Sequence, residues 1–263
     1  MKVCYGRTGI VVFLARRNSG GGTVYHDPGN INISFMTAKT DYNRGGNLQL
    51  ICSAVRNVME VDISVNQVSA LLDQRVQDWC RGACVQRDDI VINQNRKISG
   101  TAAKLGRTAA YHHCTLLVNV DTSILSSALN NPRSDLILTN ATKSIRSPVE
   151  NLVSSFQHEN LLEEIERAIS AEFGLADILD VEPTEENFPG LDKICAGFQS
   201  WAWIFGKSPK FDINVGGIKY NVMNGMIDLS DKQLPFDCHL LEHLDQSAQS
   251  NHQLLARLLK DIL

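Results

Sequence analysis

The stretch RRNSGGGTVYHDPGNIN, Arg16 to Asn32, sets three consecutive glycines, Gly20, Gly21 and Gly22, between the arginines Arg16 and Arg17 and the pair His26 and Asp27. Lacking Cβ atoms, such a run brings backbone N–H groups close to an anionic or carbonyl-bearing ligand and tolerates positive φ. It suits a phosphate or an extended acyl chain, and a merely flexible turn is the plain alternative. The GxxxxGK[ST] pattern of a Walker A loop is absent, and so is a dinucleotide-binding GxGxxG fingerprint.

Three further groups stand out downstream: Lys97 in RKISGTAAK, the small residues Gly100, Thr101 and Ala102 behind it, and His112 and His113 in YHHCTLL. A lysine ammonium is a compact donor able to stabilise developing negative charge. His112 and Cys114 are two residues apart, so on a strand they share a face and a cysteine nucleophile has to be weighed. The apolar run around Cys114 favours packing, because a buried free cysteine behaves as a small hydrophobe.

These groups need a scaffold. GIVVFLA, Gly9 to Ala15, reads as a buried strand that delivers Arg16 and Arg17 to its end. After the Asp27-Pro28-Gly29 turn, NINISFMT alternates Ile31, Ile33 and Phe35 with Asn32, Ser34 and Met36, which predicts a half-buried strand. Leu48, Ile51, Cys52, Val55 and Met59 recur at helical spacing over 47–59. Ser64 to Gln86 offers Val68, Leu71, Leu72, Val76 and Trp79 as a helical face between two segments that otherwise read as neighbouring strands. DIVIN from Asp89, RKISGTAAK and YHHCTLLVNV complete the strands, with a turn at Gln94-Asn95. Helices are expected at Thr122–Leu129, from Ser147-Pro148, and over Asn160–Phe173, where Leu161, Leu162, Ile165, Ala168, Ile169 and Phe173 line one side. Pro183 to Asp192 reads as a boundary between a domain over 1–182 and a smaller one over 183–263, the latter a meander with turns at Gly216-Gly217 and Asn224-Gly225 closed by the helix QLLARLLKDIL.

Composition narrows the function classes. The chain has 263 residues, 43% hydrophobic and 21% charged, enough apolar material for a sizeable core. A net charge of -4 gives no bulk electrostatic grip on nucleic acid, so phosphate handling points to a small ligand. No run of about 18 apolar residues predicts a membrane span. The seven cysteines are scattered and odd in number, without paired CxxC spacing, so neither a disulfide framework nor a metal site is expected.

RRNSGGGTVYHDPGNINISF, RKISGTAAK and YHHCTLL, in that order, resemble the lipoate-protein ligase A family, and within it the animal mitochondrial lipoyltransferases. The likeness continues through NATKSI, FPG and WIFGKSPKF and spans Gly9 to about Phe211, apart from Ser64 to Gln86, which reads as an insertion. The resemblance implies an α/β fold: a mixed-sheet catalytic domain of the biotin/lipoate ligase type, with a small C-terminal α+β accessory domain. It implies transfer of a lipoyl or octanoyl group from lipoyl-AMP to a lysine of the lipoyl domains of 2-oxoacid dehydrogenase E2 subunits and of the glycine-cleavage H protein. It implies Lys97 as the catalytic group bridging phosphate and acyl carbonyl. Arg16, Arg17, Gly20, Gly21, Gly22, Thr23, His26, Asn30, Asp89, Gly100, Thr101, Ala102 and His113 would line the adenylate and acyl chain, with His26 and Asn30 fixing the loop rather than acting as bases. Asp88 stands where the family's R-N-D-[LI] segment often has asparagine.

Two other readings stay open: an ATP-dependent ligase, which alone would require ATP and Mg, and a chain that binds ligand or acceptor without turnover. The latter arises because relatives carry more chain ahead of the arginine pair, so an N-terminally shortened domain is expected. A monomer and a mitochondrial location follow from the resemblance alone.

Overall fold

Period-two alternation builds the central sheet. In the computed structural model, which describes residues 3–5, 11–66, 88–93, 96–130, 137–139, 147–152, 158–174, 177–215, 218–229 and 232–235, β1 (Val3–Tyr5) pairs antiparallel with β2 (Val11–Phe13), and β3 runs Asn30–Ala38. Ile31, Ile33 and Phe35 are buried while Asn32, Ser34 and Met36 face outward, as the alternation predicts. β3 pairs along its whole length with β8 (Ala109–Leu117), which pairs on its other side with β7 (Ser99–Leu105). A second three-stranded sheet is made of β4 (Ile63–Asn66), β5 (Asp89–Ile92) and β6 (Arg96–Lys97).

The apolar helical stripe finds its partner here. α1 (Arg44–Val58) buries Leu48, Ile51, Cys52 and Val55 in one cluster with Ile31, Ile33, Phe35, Cys114 and Leu116 of the sheet and with Leu161 and Ile165 of α3 (His158–Phe173). Asn43 caps α1 by accepting from Gly46 N at 2.9 Å, and Asp121 caps α2 (Thr122–Ala128) through Ser123 N and Ile124 N. On α3 Leu162 and Phe173 are partly exposed, so the buried stripe is narrower than its apolar content suggests.

Two sequence expectations change. The segment from Ser147 starts no helix over its described residues: Val149 makes a parallel bridge to Lys97, Lys97 N donates to Pro148 O at 2.9 Å, and Glu150 N donates to Lys97 O at 3.1 Å. Proline's fixed φ suits this extended edge as well as it suits a helix start. Ser64 to Asn66 are strand, paired at Val91 to Asp89; the rest of the expected 64–86 helix and the terminal helix QLLARLLKDIL lie outside the described residues. The expectation that the strands flanking this segment are neighbours is met, since Asn66 and Asp89 are direct partners.

The chain divides into two units. One comprises Asn18–Leu129 and Ser144–Asp180; the other gathers Met1–Arg17, Asn130–Lys143 and Val181–Leu263. The second contains a five-stranded antiparallel sheet in the order β13 (Lys232–Pro235), β12 (Met226–Leu229), β11 (Ile218–Met223), β10 (Phe211–Val215), β9 (Ile137–Thr139), with α4 (Leu191–Gln199) and α5 (Trp201–Ile204). Its buried side chains include Ile204, Ile213, Val222 and Ile227. Asn224 and Gly225, both at positive φ (52° and 72°), make the tight β11–β12 turn that the Asn-Gly pair predicts.

Candidate active site

Lys97 is held on three sides. Its backbone is paired with Val91 of β5 and with the Pro148–Glu150 segment, and its Nζ lies 2.8 Å from Asp89 Oδ2. Val91 is opposite Lys97, which makes Asp89 and Lys97 diagonal neighbours on one face of the β5–β6 pair, within reach of a long side chain. Both are partly accessible, so the ammonium is anchored yet open to a ligand.

Strand register then sorts the surrounding residues by face. Asn32, Thr115 and Gly100 form one cross-strand row on the outward face, and Ser34, His113 and Ala102 form the next. Gly100 has no atom within 4 Å of the place a Cβ would take, so the chain is open beside it. The opposite face presents His112, Cys114, Ser99 and Thr101 toward α1. The expected three-residue wall is therefore divided: Gly100 and Ala102 point outward, whereas the Thr101 hydroxyl is turned the other way, accepting from Arg44 Nη2 and donating to Asp88 O at 3.2 Å.

The glycine stretch lies against the outward face. Ser19 Oγ is 2.8 Å from His113 Nε2, and Lys104 Nζ donates to Asn18 Oδ1 at 2.6 Å. Gly20, Gly21, Gly22, Thr23 and His26 follow as exposed chain without regular structure, with Gly21 at φ 97°. The far end is fixed by its own side chains: Asn30 Oδ1 accepts from Asp27 N at 2.8 Å, Asp27 Oδ1 accepts from Gly29 N, and Asp27 Oδ2 accepts from Asp121 N. Asn30 thus ties the end of the loop to Asp27. Arg16 belongs to the other unit, where Nε donates to Ile204 O at 2.7 Å, Nη2 donates to Ser208 Oγ at 2.9 Å, and its carbonyl accepts from Trp203 Nε1. Its guanidinium is engaged by the protein, and Arg17 falls in the same unit.

His112 and Cys114 do share a face, but it is the core face. Burial pushes the Cys114 thiol well above its ordinary range, which is wrong for a nucleophile. Burial first, and then the positive charge of Arg44 and the neighbouring His113, pull His112 down to about 4. It is a neutral ring stacked on Phe35, with Nδ1 3.3 Å from Asn47 Nδ2. Asp88 is buried, and its Oδ1 has no hydrogen-bond partner among the described residues.

Sequence reasoning passed over Ser19, Ser99 and Arg44. Arg44 carried a signal: a cation in the first turn of a helix opposes the helix dipole, and such a broken local rule marks a residue placed for another purpose.

A sheet backed by two helices, with a glycine run pinned to its open face and a lysine anchored at the adjoining strand, defines an α/β domain of the biotin/lipoate ligase type. The chain belongs to the family described as the lipoyl protein ligase A/B catalytic domain, whose pattern matches residues 10–174. It is 38% identical over 240 residues to the human mitochondrial lipoyl amidotransferase LIPT1, covering 84% of this chain and 59% of that protein. It is 33% identical over 229 residues to lipoate-protein ligase A of Psychrobacter cryohalolentis, covering 83% and 60%. The chain therefore spans less than two thirds of each of these relatives. Among solved structures, the bipartite lipoate protein ligase of Thermoplasma acidophilum, studied with its E2 lipoyl domain, superimposes with a TM-score of 0.51 at 20% identity over 73% of this chain and 69% of that one. That likeness establishes the fold.

Proposed function

We propose that this chain is the catalytic part of a lipoyltransferase, moving a lipoyl or octanoyl group from an activated donor such as lipoyl-AMP to one lysine of an acceptor protein. The observation that carries the reading is the Lys97 ammonium, anchored 2.8 Å from Asp89 Oδ2 while its side chain stays partly accessible. Family membership and the identity with an amidotransferase support it.

In the reaction the acceptor's ε-amine attacks the acyl carbonyl carbon. A carbon–nitrogen bond forms, the bond from that carbon to the phosphate oxygen breaks, AMP departs, and the surplus amine proton passes to solvent. Lys97 donates to the carbonyl or phosphate oxygen as charge grows there, a contact worth most in the transition state. Gly20, Gly21, Gly22 and Thr23 supply close backbone approach, and Gly100, Ala102 and His113 form the floor beneath the donor. Asp89 orients Lys97, while His26 and Asn30 hold the loop.

The acceptors in this reading are the lipoyl domains of 2-oxoacid dehydrogenase E2 subunits and the glycine-cleavage H protein, within mitochondria. Support for the first is the archaeal ligase studied with an E2 lipoyl domain, and for the location the mitochondrial name of the human relative. The likeness to a bacterial ligase favours a second reading, in which ATP and Mg serve to activate lipoate first.

The test mixes the chain with an apo lipoyl domain and either lipoyl-AMP or lipoate plus ATP and Mg, and reads the acceptor's intact mass. A gain with lipoyl-AMP alone is expected. A gain in both tubes makes the chain a ligase, and no gain in either sinks both enzymatic readings in favour of a binding-only chain.

A further inference from the structure

β5 and β7 lie in different sheets, yet two hydroxyls of β7 hold the peptide groups on either side of Asp89. Ser99 Oγ accepts from Ile90 N at 2.7 Å, and Thr101 Oγ1 donates to Asp88 O at 3.2 Å. The Asp88 carbonyl belongs to the peptide before Asp89 and the Ile90 N–H to the peptide after it. Both planes flanking Asp89 are therefore fixed. Ser99 and Thr101 reach them together because they are two residues apart on a strand and share a face.

The clamp has a backstop. Arg44 Nη2, at the start of α1, donates to the Thr101 hydroxyl, so that oxygen accepts from the guanidinium while its own proton goes to Asp88 O. A hydroxyl used in both directions is aligned in one orientation. Ser99 is fully buried and Asp88 nearly so, so water competes poorly for these bonds. The chain of contacts then runs Arg44, Thr101, Asp88 carbonyl, Asp89 carboxylate, Lys97 ammonium, with the last pair at 2.8 Å.

We infer that Arg44, Thr101 and Ser99 are positioning residues, which act on acyl transfer by orienting the Asp89 carboxylate and through it the Lys97 ammonium. A lysine side chain has four freely rotating bonds, and its contribution to charge stabilisation depends on being placed before the charge develops. The inference rests on the reading of Lys97 as the group that stabilises the transition state.

Two measurements on the full chain test it. In the first, steady-state transfer from lipoyl-AMP to an apo lipoyl domain is compared for Thr101→Val, Thr101→Ser, Asp89→Asn and the Thr101→Val/Asp89→Asn pair. Thr101→Val is expected to lower kcat about tenfold with little change in KM for lipoyl-AMP, Thr101→Ser to restore most of it, and Thr101→Val to add almost nothing once Asp89 is already asparagine. A rise in KM alone, or effects that multiply independently in the double variant, overturns the inference by making Thr101 a donor contact or a mere packing residue. The second measurement needs no turnover: the rate at which acetic anhydride labels Lys97, read by peptide mass, is expected to rise several-fold in Thr101→Val and in Ser99→Ala but not in Thr101→Ser. Unchanged labelling in folded Thr101→Val and Ser99→Ala overturns the clamp even if the wild-type chain transfers. Absence of wild-type transfer, with labelling changed as expected, overturns the proposed reaction and leaves the clamp standing.

Discussion

Ser19 Oγ lies 2.8 Å from His113 Nε2, tying the residue that leads into the glycine run to the outward face of β8. Residues Gly20 to Thr23 beyond that tie are exposed, and the tie fixes where the glycine run starts. His113→Ala is expected to raise KM for lipoyl-AMP about tenfold while kcat changes less. Its thermal stability should fall only slightly, since one part-exposed hydrogen bond contributes about 1 kcal/mol. Transfer kinetics with unchanged KM count against the tie.

Lys97→Ala removes a charge contact from a partly accessible site without opening the core. Loss of such a donor is expected to cost on the order of 10²-fold or more in kcat, with Tm nearly unchanged because accessible ion pairs contribute about 0–1 kcal/mol. Turnover near the wild-type rate in the folded variant sinks the mechanism.

Two glycines separate folding from binding. A Cβ on Gly29 would sit 2.1 Å from Asn119 O, and the Gly29 carbonyl accepts from both Val118 N and Asn119 N, so the backbones there cannot part. Gly29→Ala is expected to destabilise by roughly 2 kcal/mol or more, read by urea unfolding. A Cβ on Gly20 meets nothing within 4 Å, so Gly20→Ala should unfold like wild type and weaken donor binding, read by titration with a non-hydrolysable acyl-adenylate analogue.

Cys114 is 1% exposed among Ile33, Leu116 and the α1 side chains. Cys114→Ala is expected to transfer at the wild-type rate per folded molecule, at a stability cost of about 1 kcal/mol from the small void left. Iodoacetamide should label Cys114 only after denaturation, and loss of transfer in a fully folded variant would revive a covalent cysteine route.

His112 gives the fold an acid limit. Its folded value, about 4, lies below the ordinary histidine value of 6.5, so below pH 6.5 the unfolded chain takes up a proton that the folded chain refuses. Stability from this residue is therefore complete above pH 6.5 and is lost progressively between 6.5 and 4, by up to about 3 kcal/mol. Urea midpoints measured across that window should fall with pH in the wild type and fall less steeply in His112→Phe.

The limits of sequence reading have physical causes that particular residues display. The alternation in NINISFMT and the helical spacing of Leu48, Ile51, Cys52 and Val55 were legible because burial on one face leaves a period in the chain. Ser147-Pro148 misled because proline's backbone angle fits both a helix start and an extended edge, and the pairing with Lys97 decided between them. Thr101 misled for a different reason: three small residues in a row look like one wall, but strand geometry sends the middle one to the other side.

The sequence by itself determined the family, the lysine at position 97, the glycine run, and which side of β3 and β8 packs inward, since those properties reside in residue types and local periods. Tertiary structure alone decided that Ser19 meets His113 across 94 positions, that Arg44 meets Thr101 across 57, and that hydroxyls of β7 grip the peptides around Asp89 in another sheet. No local period encodes such meetings, because a hydrogen bond between sheets depends on where strands cross in space and not on how far apart their residues lie along the chain.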